Sequence, residues 1–137
     1  MKHFAILTAL LLPQFSHAGD LQLTLNGTGF SGKNLYVAVH SSAADFPVRD
    51  AKAIKSTVVA SGHSTELLIP NIAPGEYAVA VFADVNGNGA LDNNFIGIPK
   101  EPVGMSRDAK GKFGPPKFAD AAFKVGTGLT QQTIQIK

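Results

Sequence analysis

Glu76-Tyr77-Ala78-Val79-Ala80-Val81-Phe82 is the stretch on which the fold turns. Tyr77, Val79 and Val81 alternate with Ala78, Ala80 and Phe82, the period of two that marks a β-strand. The small alanines leave room for another layer to approach closely. Pro70 to Gly75 before it is expected to turn, because Asn, Pro and Gly punctuate regular structure.

Working outward, Thr65-Glu66-Leu67-Leu68-Ile69 predicts a strand with Leu67 and Ile69 inward. Val58 and Val59 suggest another. Leu35-Tyr36-Val37-Ala38-Val39 is apolar on both faces. Leu21, Leu23 and Leu25 alternate with Gln22, Thr24 and Asn26, the signature of a half-buried strand. Ala121 to Val125 and Thr130 to Ile136 supply the last two, the latter placing Ile134 and Ile136 together. Residues 41–55 would allow a short helix, interrupted by Pro47. The expected core is Leu23, Leu25, Val37, Val39, Leu67, Ile69, Val79 and Val81. Short strands separated by Gly/Pro turns predict an all-β antiparallel β-sandwich of about seven strands. Residues 84–118 carry six Gly and four Pro and form one long loop, with 95–98 as a candidate short strand inside it.

The N-terminus reads as an export signal. Lys2 and His3 precede an apolar run from Phe4 to Leu12. Pro13 and Gln14 break it, and Ser16-His17-Ala18 presents small residues at both positions a signal peptidase reads. The run is about half of the ~20 residues that span a bilayer. Residues 1–18 are thus expected to be a signal peptide cleaved after Ala18, and 19–137 a single soluble domain without a transmembrane segment. The expected location is periplasmic or secreted. With no Cys in 137 residues, disulfides, thiolate nucleophiles and thiolate metal sites are excluded. The formal net charge is +2, of which Lys2 supplies one, and that balance argues against nucleic acid as the partner.

The sharpest local pattern is Asp84-Val85-Asn86-Gly87-Asn88-Gly89-Ala90-Leu91-Asp92. Oxygen-bearing side chains stand at loop positions one, three, five and nine, with Gly at six. Calcium takes six to eight hard oxygen ligands, and alternate residues of a tight loop can all point inward. Asp84, Asn86, Asn88 and Asp92 are the candidate side-chain ligands, with the Ala90 carbonyl as a fifth oxygen. The twelfth position, where a bidentate carboxylate belongs, is Phe95. Glu101 is the acid that would have to swing in as a substitute. A hairpin turn built on an Asn-Gly pair is the simpler alternative.

The second candidate is a basic and aromatic stretch. Lys100, Arg107, Lys112, Phe113, Lys117 and Phe118 could form a platform for an anionic polymer or glycan, or the two Phe could anchor a solvated loop. For catalysis the sequence offers little. His40 ends a strand, and His63 lies in a Ser-Gly-His-Ser turn. Ser106 has no assigned base, and no G-x-S-x-G elbow is present.

Ile72-Ala73-Pro74-Gly75-Glu76-Tyr77, then Asp84 through Asp92, then Asn94-Phe95-Ile96-Gly97-Ile98-Pro99-Lys100-Glu101-Pro102, then Gly111-Lys112-Phe113-Gly114-Pro115-Pro116-Lys117-Phe118 resembles a family of exported bacterial proteins. This is the domain-of-unknown-function family number twenty-one forty-one. The resemblance implies an exported domain and transfers no catalytic residue. The Pro-Gly-Glu-Tyr strand with its Asp/Asn/Gly loop is also similar to transthyretin-like and carboxypeptidase-regulatory-like sandwiches. Some related surface-protein repeats hold calcium in a comparable loop, usually completed by a late acid that Phe95 replaces here. The expected function is a non-catalytic binding or accessory domain for a protein or glycan partner, with calcium as the ion its loop would take. A small hydrolase or glycan-active enzyme using His40, His63 or the acidic residues is the alternative.

Overall fold

A computed structural model describes residues 17–44, 46–47, 53–62 and 64–137. Most of the expected signal, and His63, lie outside the described residues. The chain forms β1 (Gly19–Gly27), β2 (Asn34–His40), β3 (Lys55–Ala60), β4 (Ser64–Ile72), β5 (Gly75–Asp84) and β6 (Val103–Met105). A 3-10 turn (Ser106–Asp108), α1 (Phe118–Ala121), β7 (Phe123–Val125) and β8 (Leu129–Ile136) follow. One sheet runs β4-β1-β8. The other runs β3-β2-β5-β6, with β7 also paired to β5.

The two sheets form a β-sandwich. The alternation in β1 buries Leu21, Leu23 and Leu25 while Gln22, Thr24 and Asn26 stay partly exposed. Their register partners on β4 are Ile69, Leu67 and Thr65, so the inward residues of neighbouring strands fall in rows. Opposite them, Leu35, Val37 and Val39 of β2 pair with Ala83, Val81 and Val79 of β5. Leu67 is only partly buried and packs at the margin of the core. β5 is buried on both faces along most of its length, because α1 and the 3-10 turn pack against it from outside. The small side chains of Ala78 and Ala80 permit that second layer.

The structure differs from the sequence expectation at several places. β8 pairs with β1 in parallel, so the sandwich is not wholly antiparallel. The chain leaves the second sheet at β7 and crosses directly into β8. The end at which it crosses fixes the direction of β8, and the composition of the strand carries no trace of it. Pro70-Asn71-Ile72 continues β4 rather than turning. β4 is an edge strand, where a proline costs no ladder bond, and Asn71 takes a left-handed φ of 59° at the register shift. Residues 41–44 form bends rather than helix; Asp45 and 48–52 lie outside the described residues. Residues 95–98 make a turn, with an isolated bridge between Asn93 and Pro99. The strand expected from Ala121 starts at Phe123, after the short α1.

The stretch from Ser106 to Asp108 works as a fastener. The Ser106 hydroxyl is fully buried, accepts from the Val79 N–H at 2.9 Å and donates to the Ala121 carbonyl at 2.6 Å. Arg107 and Asp108 adopt φ of 57° and 49°. From there Arg107 Nη1 donates to the Ala122 carbonyl at 3.3 Å, and Asp108 Oδ1 accepts from the Gln135 N–H at 3.0 Å. Four segments are tied at one point.

Candidate functional site

The 84–92 loop leaves the end of β5 and is built on its own side-chain oxygens. Asp84 is 3% exposed. Its two carboxylate oxygens accept from the Gly87 N–H at 3.0 Å and the Gly89 N–H at 2.8 Å. Asn86 Oδ1 accepts from the Asn88 N–H at 3.2 Å, and Asn88 Oδ1 from the Ala90 N–H at 3.0 Å. Each of these is the local side-chain-to-backbone bond that favours Asn and Asp in turns. Gly89 stands at φ 74°, a conformation that glycine adopts without penalty.

Asp92 closes the ring. Its carboxylate accepts from Asn88 Nδ2 at 2.9 and 3.0 Å and from Asn86 Nδ2. Asn86, Asn88 and Asp92 therefore converge on one point. Asp84 approaches through the backbone it holds. The candidate ligand Ala90 lies between them in sequence and is exposed.

Glu101 is the residue whose role only the structure makes plain. It is 7% exposed and reaches back across the base of the loop. One carboxylate oxygen accepts from the Val85 N–H at 3.0 Å and, more weakly, from the Asn86 N–H at 3.5 Å. The other accepts from the Asp92 N–H at 3.2 Å. It thus ties the start of the loop to its end. The contact is possible because 92–100 folds back as a hairpin, with the Lys100 N–H donating to the Asp92 carbonyl at 2.8 Å. Sequence spacing hides this, because the insertion of the hairpin displaces the acid from the twelfth position. Among the described residues, no group of three or more His, Asp or Glu side chains is gathered closely enough to hold a metal ion by those groups alone. The oxygen set here is mixed carboxylate and amide.

Beside this loop lies an open groove of about 1320 Å³. Its floor is the outer face of the second sheet: Tyr36, Phe82, Val103 and Met105. Tyr36 and Phe82 are register partners on β2 and β5, and their rings stack at 4.9 Å and 6°. Gly89 to Leu91 and Gly97 to Pro99 line one wall, and Asp108 to Gly111 with Gly114 to Pro116 line the other. The aromatic floor was legible in part, since Tyr36 and Phe82 sit on the outward set of two central strands.

The basic and aromatic candidates separate. Lys100, Lys112 and Lys117 are exposed, as is Phe113, while Arg107 is exposed with its guanidinium turned to Ala122. Phe118 is partly buried in α1, its ring edge-on to Phe46 at 5.9 Å. His40 is 1% exposed at the end of β2, edge-on to Phe46 at 5.3 Å, and does not line the groove.

Compared with known protein families, residues 25–133 match the one described as "Uncharacterized protein conserved in bacteria (DUF2141)". The chain belongs to this family. The matched span runs from within β1 to within β8, so the DUF2141 unit contains the 84–92 loop, the hairpin carrying Glu101 and both walls of the groove. No curated protein and no solved structure matches the chain. Among the described residues, no helix is long and apolar enough to cross a membrane.

Proposed function

We propose that this DUF2141 protein is an exported, non-catalytic binding domain that holds a partner in the groove beside the 84–92 loop, and that the loop takes calcium. The observation that carries the binding reading is the lining of the groove. Stacked aromatic rings, Val103, Met105 and Pro/Gly backbone make its surface, with Asp108 and Lys110 as charged groups on one wall. Such a surface offers apolar contact and backbone hydrogen bonds, the usual means of ligand recognition. Export is supported by the three-part signal. The first strand begins at Gly19, so cleavage after Ala18 leaves the sandwich whole.

Calcium is supported by the convergence of Asn86, Asn88 and Asp92 over a loop whose base Asp84 and Glu101 hold together. Asn86, Asn88 and Asp92 would hold the ion through side-chain oxygens, which requires the two amides to exchange their present bonds to the Asn88 and Ala90 N–H groups and to Asp92 for the ion. An ion that binds only the folded state raises stability by about 2.7 kcal/mol at a hundredfold excess over Kd.

The melting temperature of the protein is therefore expected to rise with millimolar calcium. Asp92→Asn should remove the rise. That variant is isosteric and spares the backbone bonds of Asp84, at the loss of one acceptor oxygen toward the Asn86 and Asn88 amides. A wild-type melting curve unmoved by calcium, with no heat of binding, would reduce the loop to a turn. The groove is tested separately. Tagged protein should capture a partner from a periplasmic extract, and Met105→Glu, which places a charge on the groove floor, should release it. Capture that Met105→Glu leaves intact would place the partner elsewhere.

A further inference from the structure

Two loop tips rise from the rims of the groove, and each carries large apolar side chains into solvent. Phe95 is 99% exposed, Ile96 63% and Ile98 54% on one tip; Phe113 is 105% exposed on the other. Neither tip owes its shape to these side chains. In the first, the Asn94 carbonyl accepts from the Gly97 N–H at 3.0 Å. The Asn94 side-chain oxygen accepts from the N–H groups of Ile96 and Ile98 at 3.0 and 2.9 Å. Phe95 and Ile96 sit at the apex, where turns ordinarily place polar residues or glycine. In the second, a Cβ on Gly111 would run into the Gly114 carbonyl, and Pro115-Pro116 stiffens the return. The first turn is held by backbone and Asn bonds, and the second is shaped by glycine and proline. The rings are presented by the fold without contributing to it.

The tips belong to one surface. Gly97, Ile98 and Pro99 line one wall of the groove, and Gly111 and Gly114, which bracket Phe113, line the other. The exposed charge around them is mainly positive. Lys100, Lys110 and Lys112 are exposed. Of the nearby acids, Asp84 and Glu101 are buried against backbone N–H groups and Asp92 is bonded by two amides. Asp108 is the exposed exception, with one oxygen bonded to the Gln135 N–H.

We infer that this end of the molecule docks on an anionic lipid bilayer, with Phe95, Ile96, Ile98 and Phe113 entering the headgroup region and the lysines pairing with lipid charge. Separate projecting rings on stiff turns suit an interface that deforms around each of them. A rigid protein partner would instead select a contiguous apolar patch. Apolar insertion and attraction of cations to anionic lipid act together at such surfaces. The inference needs neither calcium nor an occupied groove, so it is tested in EDTA.

The chain contains no Trp, so a single indole reports its own surroundings. In the full chain, Phe95→Trp and Phe113→Trp should each shift to the blue on vesicles of phosphatidylglycerol mixed with phosphatidylcholine, and brominated acyl chains should quench them. Leu129→Trp is the control, being 59% exposed and on β8 of the other sheet. It should do neither. In the Phe113→Trp background, replacing Lys100, Lys110 and Lys112 by Ala should weaken vesicle affinity about fivefold for each lysine. Adding Phe95→Ser should weaken it about tenfold. Emission unchanged by vesicles at both tips would overturn the proposal. So would equal quenching at Leu129→Trp, which would mean adsorption without orientation. A blue shift that grows with protein concentration and ignores lipid would assign the tips to a second copy of the chain instead.

Discussion

Glu101 shows how one side chain can set the shape of a loop that it does not belong to. Its carboxylate is buried, and it is the acceptor for backbone donors at both ends of the 84–92 loop. Buried N–H groups without partners cost more than the bonds they lose. Glu101→Ala is expected to destabilise the protein by about 1–3 kcal/mol, with Glu101→Gln losing less because it keeps one acceptor oxygen. Urea midpoints of the two variants against wild type would show it. Equal midpoints for Ala and wild type would mean that water serves those donors equally well. The turn built by Asp84, Asn86 and Asn88 could be read from sequence, since the backbone groups they bond lie within five residues. Glu101 could be named only as a substitute ligand, and its backbone partners could not be read, because they lie 9 to 16 residues away and depend on how the intervening hairpin folds.

At the level of elements, the alternating strands were the most legible part. Period-two patterning specifies which face is buried whatever the partner, and Leu23, Val79 and Ile134 lie where that pattern puts them. Leu23→Ala should cost about 2–5 kcal/mol, as truncation of a fully buried leucine does. Leu67, its register partner, is only partly buried, so Leu67→Ala should cost clearly less. Matching losses in denaturant midpoint would contradict the assigned burial. The junction of β6 with β8 was not legible. There, Val103 and Lys137 exchange backbone bonds at 2.9 and 3.0 Å. An added Cβ on Gly104 would stand 2.6 Å from the Gln135 carbonyl oxygen and 2.8 Å from Ile134 Cγ2. Gly104→Ala should therefore destabilise by about 1–3 kcal/mol through overpacking, and a midpoint at or above wild type would show that the two strands separate freely.

For the molecule as a whole, the start of β1 at Gly19 joins the export reading to the fold. Residues 17 and 18 are exposed and outside the strand, so removal of the chain up to Ala18 would leave the first strand intact. Mass spectrometry of protein recovered from an exporting bacterial cell should find a mature N-terminus at Gly19. Recovery with Met1 retained would remove export from the proposal.

By itself, the sequence determined the β-sandwich, the inward face of most strands and the presence of a turn at 84–92. Each of these rests on interactions between residues close along the chain, or on a periodicity that any partner strand would satisfy. Only the tertiary structure decided that β8 runs parallel to β1 and that Pro70 continues an edge strand. It alone set Glu101 across the foot of its loop, Ser106 between β5 and α1, and Phe95 and Phe113 on the rims of one groove. Those outcomes depend on which distant segments meet. Meeting is governed by the packing of whole sheets and by the direction of chain crossings, which no local pattern records.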